Sequence, residues 1–173
     1  MPNTFTKIAS VTVGAGGAAS IDFSSIPQTY TDLCIKISAR TARATPQDSF
    51  RVTLNATNAS YSYVRLYNDG SASPGSDIDS GNSYLTTGYT NGNTGTANTF
   101  GSTEIYFTNY TSSANKSVYS DGISENNATT AYAGLVSALW ANSAAITSIK
   151  IEGATGATIL QYSTATLYGI KKD

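Results

Sequence analysis

Apolar side chains recur at every second position in short runs, and Gly, Asn and Ser break the runs apart. A period of two places alternate residues on opposite faces of a strand, so each run describes a strand with one face toward a core and the other toward solvent. The pattern is clearest from Asp32 to Arg40, where Leu33, Ile35, Ile37 and Ala39 alternate with Cys34, Lys36, Ser38 and Arg40. Phe50, Val52 and Leu54 repeat it, as do Ile105 with Phe107 and Ile149 with Ile151. Further strands are expected over Phe5 to Val13, Ser20 to Phe23, Tyr61 to Tyr67, Lys116 to Ile123 and Thr164 to Ile170, where Thr, Tyr and β-branched residues cluster.

Many short strands with almost no helical pattern imply two antiparallel sheets packed face to face, an all-β, jelly-roll-like sandwich. At 173 residues the chain fits one such domain with a substantial core. Thr130 to Trp140 carries a helical stripe as well, through Tyr132, Leu135, Val136, Leu139 and Trp140. It is read as a strand that turns at Asn142 and Ser143 into a hairpin with the strand beginning at Ile146. Gly14 to Gly17 is expected to be a hairpin turn, and a short helical turn limited by Pro27 is expected near Ser24 to Thr29. Gly70 to Gly101 is so rich in Gly, Ser, Asn and Thr that it is expected to be a long surface excursion with one strand around Tyr84 to Tyr89.

Composition narrows the chemistry. The chain has no histidine, which removes Ser-His and Cys-His couples and the commonest acid-base group near neutral pH. The single Cys34 has no internal disulfide partner, and it reads as a small strand side chain. A net charge of −1 leaves no basic patch for nucleic acid, and the pair Lys171 and Lys172 reads as a solvated tail. Met1 to Lys7 carries no basic start followed by an apolar run, so no secretory signal is expected, and no run is long enough for a membrane helix. The sequons at Asn55, Asn58, Asn109, Asn115 and Asn127 follow from the Ser- and Thr-rich composition.

Few constellations suggest catalysis or a metal. Asp77 and Asp79, with Asp69 upstream, offer oxygens for calcium, but the spacing of a calcium loop and its trailing Glu are missing, so solvated carboxylates are expected. Asp121 and Glu125 do not read as a glycosidase pair, because nothing in the sequence sets them across a cleft. No cofactor and no metal site are expected. Gly14-Ala15-Gly16-Gly17 lacks the Lys-Ser/Thr of a phosphate loop. Trp140, among apolar neighbours, is expected in the core.

The tyrosines are the candidate binding residues. Tyr61, Tyr63, Arg65 and Tyr67 share one face of their strand, opposite Val64 and Leu66, and Tyr106 lies opposite Ile105 and Phe107. With Tyr84 and Tyr89 they are read as an outer contact surface, since Tyr supplies large amphipathic area at low entropic cost. The alternative is that they cover a sheet, with their hydroxyls reaching water.

Three stretches carry a resemblance: Ser25 to Leu33 (SIPQTYTDL), Leu139 to Ile149 (LWANSAAITSI) and Gln161 to Lys171 (QYSTATLYGIK). They resemble small virion structural proteins of tailed bacteriophages, notably cyanophages and other aquatic phages. The resemblance implies a β-sandwich on the outside of a phage particle, made in the host cytoplasm. Its expected role is that of a capsid decoration (cement) protein, not an enzyme, which binds the major capsid protein as a homotrimer. A trimer on a local three-fold matches subunit symmetry to lattice symmetry. The alternative is a receptor-binding head or tail fibre protein whose tyrosines stack on host glycans.

Overall fold

The structure is a computed structural model and describes residues 4–171. It is an antiparallel β-sandwich of twelve strands in two unequal sheets. The strands are β1 (Phe5–Thr12), β2 (Ser20–Phe23), β3 (Asp32–Ala39), β4 (Gln47–Leu54), β5 (Tyr61–Asn68), β6 (Gly75–Asn82), β7 (Leu85–Asn91), β8 (Gly101–Phe107), β9 (Lys116–Glu125), β10 (Ala131–Trp140), β11 (Ile149–Gly153) and β12 (Thr164–Ile170). The larger sheet has the order β1-β12-β3-β8-β9-β10-β5-β6, and the smaller one β2-β11-β4-β7. From β1 to β5 the chain changes sheet at every step, which winds both layers around one core.

Register carries the sequence alternation into transverse rows. On the inner face of the large sheet, Ala9, Leu167, Ile35, Ile105, Ser120, Val136, Arg65 and Asp77 lie side by side from β1 to β6. The row begins apolar and ends in an ion pair, because the four-stranded sheet covers only part of the eight-stranded one. Phe50, Val52, Leu54, Ile21, Phe23, Ile149 and Ile151 of the small sheet close the core from the other side. Trp140 is fully buried and stacks on Tyr61, with centroids 6.2 Å apart. The Tyr61 hydroxyl accepts from the Leu54 amide and donates to the Thr57 carbonyl, both at 2.9 Å, so it ties the two sheets together.

The sheets meet most closely at glycines. A Cβ on Gly88 of β7 would collide with the backbone of Asp121 and Gly122, and one on Gly122 with the backbone of Gly88 and Tyr89. One on Gly101 would stand 2.5 Å from the Asn91 nitrogen, and one on Gly134 would come within 3.2 Å of the Gly88 Cα. β7 therefore lies directly on the backbones of β8, β9 and β10. At that distance no side chain fits between the layers.

Several sequence expectations are corrected here. Gly70 to Gly101 is not a long loop: it contains β6, an edge strand, and β7, every residue of which is buried. Its small polar residues are held by hydrogen bonds instead of apolar contacts. Thr87 Oγ accepts from the Phe50 amide at 2.9 Å, and Thr90 Oγ donates to the Ala39 carbonyl at 2.7 Å. β10 is a strand as expected, but it makes no hairpin with its successor. Residues 141–148 cross to the small sheet, where β11 pairs with β2 and β4. The Asn55 side chain holds that crossing, accepting from the Thr147 and Ser148 amides at 2.8 and 3.1 Å. Gly14 to Gly17 likewise carries the chain between sheets and is no hairpin. Residues 24–29 contain no helical turn. Met1 to Asn3 and Lys172, part of the readings of the two termini, lie outside the described residues.

The glycine contact generates a direct test. Gly122→Ala forces a methyl into backbone that cannot rotate away, and it should destabilise the protein by about 2 kcal/mol or more. Gly14, which has open space around its Cβ position and no positive φ, should accept Ala with a change within about 0.5 kcal/mol. Urea denaturation of both variants checks the contrast.

Candidate functional site

The expected tyrosine surface divides between two places. β5 is oriented the other way from the expectation: Tyr61, Tyr63, Arg65 and Tyr67 face inward, while Val64 and Leu66 face solvent. The reason is the glycine-lined approach of β7, which brings Tyr89 under the margin of the sheet where the aromatic and cationic side chains of β5 can pack on it. There Arg65 donates to both carboxylate oxygens of Asp77, at 3.2 and 2.6 Å. Its guanidinium lies 4.7 Å from the Tyr67 centroid and 5.9 Å from that of Tyr89, and Tyr67 meets Tyr89 edge-on at 6.4 Å. Tyr84 stacks under Arg51 at 5.0 Å. Tyr61 and Tyr89 are buried, so neither offers a free surface. This cluster seals the open side of the core.

Tyr106 stands on the opposite, outward face of the large sheet, as its alternation implies. It stacks on Tyr119 with centroids 5.4 Å apart, and its hydroxyl donates to Asp32 at 2.8 Å. Burial, and then the Asp32 carboxylate beside it, pushes the phenol up to about 12. Cys34 is paired between Tyr168 and Tyr106 in this row and is fully buried, and burial raises its thiol. A raised, covered thiol is a poor nucleophile.

The outward face of the large sheet has two halves. One row across it runs Ser10, Thr166, Lys36, Glu104, Asp121, Leu135, Leu66 and Ser76. Over β1, β12, β3 and β8 the face is hydroxylic and charged, with Lys36 paired to Glu104. Over β9, β10, β5 and β6 aliphatic side chains gather on it among Ser and Asp residues. Val64, Leu66, Ile78, Ile123 and Leu135 are 44%, 56%, 78%, 60% and 53% exposed. A depression of about 430 Å³ lies among Leu66, Pro74, Ile123, Ala133 and Leu135. These aliphatic residues were missed in the sequence, although Val64, Leu66, Ile123 and Leu135 stand in strands that alternate on both faces. A strand with Tyr and Arg on one side and Val and Leu on the other does not announce which side is wet.

The carboxylates stand apart. Asp77 pairs with Arg65, Asp79 is exposed on β6, and Asp121 points outward from β9. Among the described residues no group of three His, Cys, Asp or Glu side chains converges as a metal site would require. Glu125 has a structural task. It accepts from the Thr96 amide at 2.8 Å, the Thr96 hydroxyl at 2.6 Å, the Thr99 hydroxyl at 3.1 Å and the Asn127 amide at 2.5 Å. These bonds, that of the Thr96 hydroxyl first, hold its carboxyl down at about 2. Beside it the buried Arg40 guanidinium donates to the carbonyls of Asn93, Gly95, Thr96 and Thr99 at 2.7, 3.0, 2.5 and 3.3 Å. One cation and one anion thus organise the loop from Gly92 to Phe100.

Comparison with protein-family models, with curated proteins and with solved structures gives no match for this chain. The geometry defines an all-β protein with an exposed aliphatic margin on its large sheet.

The depressed Glu125 carboxyl sets a pH dependence. Its contribution to stability is complete above the ordinary carboxylate value of about 4.3 and is lost as pH falls through about 2. Thermal melts of the native protein and Glu125→Gln should therefore differ by a constant amount above about pH 5 and converge as the pH approaches about 2.

Proposed function

We propose that this chain is a virion structural protein, a capsid decoration protein without enzymatic activity, that self-associates through the aliphatic margin of its large sheet. The observation that carries the reading is the gathering of Val64, Leu66, Ile78, Ile123 and Leu135 on one outward face. An exposed apolar patch rimmed by polar residues is the usual mark of a protein contact. Its position favours another copy of this chain as the occupant. The patch reaches the edge strand β6, so it lies at one side of the subunit, and a head-to-tail contact that seats it on a different surface of the next copy can close into a ring, as a trimer on a three-fold lattice position requires. The polar half of the same face and the loop ends remain for the major capsid protein. The resemblance of the three quoted stretches to phage virion proteins supplies the setting, on the outer surface of the head.

Two features support a binding role over catalysis. Glu125 is committed to the loop amides and hydroxyls while Asp121 stands exposed on the outward face, and the single thiol is covered. The receptor-binding alternative loses its original basis, because most of the tyrosines assigned to it are turned inward.

Leu66→Asp combined with Leu135→Asp tests the proposal. Both side chains are more than half exposed, so the double variant should keep its fold by circular dichroism. It should run as a monomer in light scattering where the native protein runs as a trimer. A native protein that is monomeric at micromolar concentration would overturn self-association. Unchanged capsid occupancy by a stable monomeric variant would show that decoration does not depend on the trimer.

A further inference from the structure

The end of the sandwich formed by residues 92–100, 126–130 and 154–163 holds a cleft of about 470 Å³. It lies away from the aliphatic margin, and neither the sequence reading nor the proposed function uses it. Tyr162 forms one wall and is 69% exposed. Its backbone has φ of 70°, a left-handed conformation that a bulky side chain rarely adopts. Asn98 and Asn127, which line the same cleft, have φ of 62° and 63°. Asn tolerates this region and Tyr does not, so Tyr162 holds its exposed ring outward against its own backbone preference. Its amide is anchored on the Val13 carbonyl at 2.9 Å, which keeps the conformation in place.

The chemistry of the walls selects a ligand class. The side-chain amides of Asn93, Asn98 and Gln161 have no hydrogen-bond partner among the described residues. Each therefore offers a neutral donor and a neutral acceptor. The charged groups nearby are already committed: Arg40 to four loop carbonyls and Glu125 to the hydroxyls and amides of the loops. Among the described residues that line the cleft, a phosphate or carboxylate would find no cation other than the committed Arg40. The arrangement of one exposed aromatic face, several free amides and a loop braced from beneath suits a flat, uncharged, hydroxyl-rich molecule. Its C–H face would pack on the ring while its hydroxyls exchange hydrogen bonds with the amides.

We propose that this cleft binds a neutral pyranose unit of an oligosaccharide, with Tyr162 as the stacking platform and Asn98 and Gln161 as the hydroxyl-reading amides. The braced Gly92 to Phe100 loop presents Asn98, and the bond of the Tyr162 amide to Val13 fixes the neighbouring segment, so the site need not order on binding, which preserves affinity in a shallow site.

The test uses the full chain and a panel of neutral trisaccharides of gluco, manno and galacto configuration, with sialylated and sulfated trisaccharides as the charged arm. Binding is followed by amide chemical-shift titration to millimolar concentration. At least one neutral sugar should shift the resonances of Asn98, Gln161 and Tyr162. Tyr162→Asn, which keeps the left-handed backbone and removes the ring, should weaken that sugar at least tenfold and raise Tm by about 2 °C through relief of strain. Asn98→Gly should weaken it with no loss of Tm. The proposal is overturned if no neutral sugar shifts these residues, if only the charged sugars do, or if Tyr162→Asn lowers Tm, since the ring would then be a packing element.

Discussion

The sandwich depends on bare backbone meeting bare backbone. Gly88 of β7 sits on Gly122 and Gly134 of β9 and β10, with Gly101 of β8 alongside, and a single methyl at Gly88 or Gly122 would strike main-chain atoms. Sheets whose side chains interdigitate stand about 10 Å apart. Here the absence of Cβ atoms lets the edge strand of the small sheet settle onto the large one. β7 can then be made of Thr, Gly and Asn and still be buried, because its hydroxyls and amide find backbone and side-chain partners at once. Dispersion and satisfied hydrogen bonds do the work that a large apolar core does under β3 and β12.

That contact fixes the character of every outer surface. By closing on β8 to β10, β7 leaves the inner side of β5 and β6 at the margin of the sandwich, so the chain fills it with Tyr63, Arg65, Tyr67 and Asp77 in place of aliphatic residues. The aliphatic residues of the same strands are then displaced to the outward face, where Val64, Leu66 and Ile78 join Ile123 and Leu135. The exposed apolar patch and the inward tyrosine seal are two consequences of one sheet being half the width of the other. The loop end follows a different principle. There Arg40 and Glu125 take the place that apolar packing has elsewhere, each gathering several groups of opposite polarity, so the Gly92 to Phe100 loop is stiff without being buried.

A good part of this was legible in the residues. Leu33, Ile35, Ile37 and Ala39 are buried on one face of β3 as their alternation requires, β12 spans Thr164–Ile170 as read, β10 is a strand and Trp140 is in the core. Alternation is a local property, because the pleat alone sends successive side chains to opposite faces. The all-β class and the strands with an apolar alternation were therefore determined by the sequence itself, whereas β6, which has none, was not. What alternation lacks is an absolute direction. In β5 the Tyr/Arg face and the Val/Leu face are both self-consistent, and only the arrival of Tyr89 beneath the sheet decided which one is inward. The strand expected around Tyr84 to Tyr89 is β7, but its burial was not legible, because a strand buried by glycine contacts and threonine hydrogen bonds shows no apolar period. The pairing of β11 with β2 and β4 was equally invisible. It joins segments more than ninety residues apart, and the eight-residue crossing from 141 to 148 is the same length of chain whether it turns back or passes over the core. Tertiary structure alone decided these points, because each depends on which distant backbone comes within hydrogen-bonding reach, and that distance is a property of the packed layers and of no single stretch of chain.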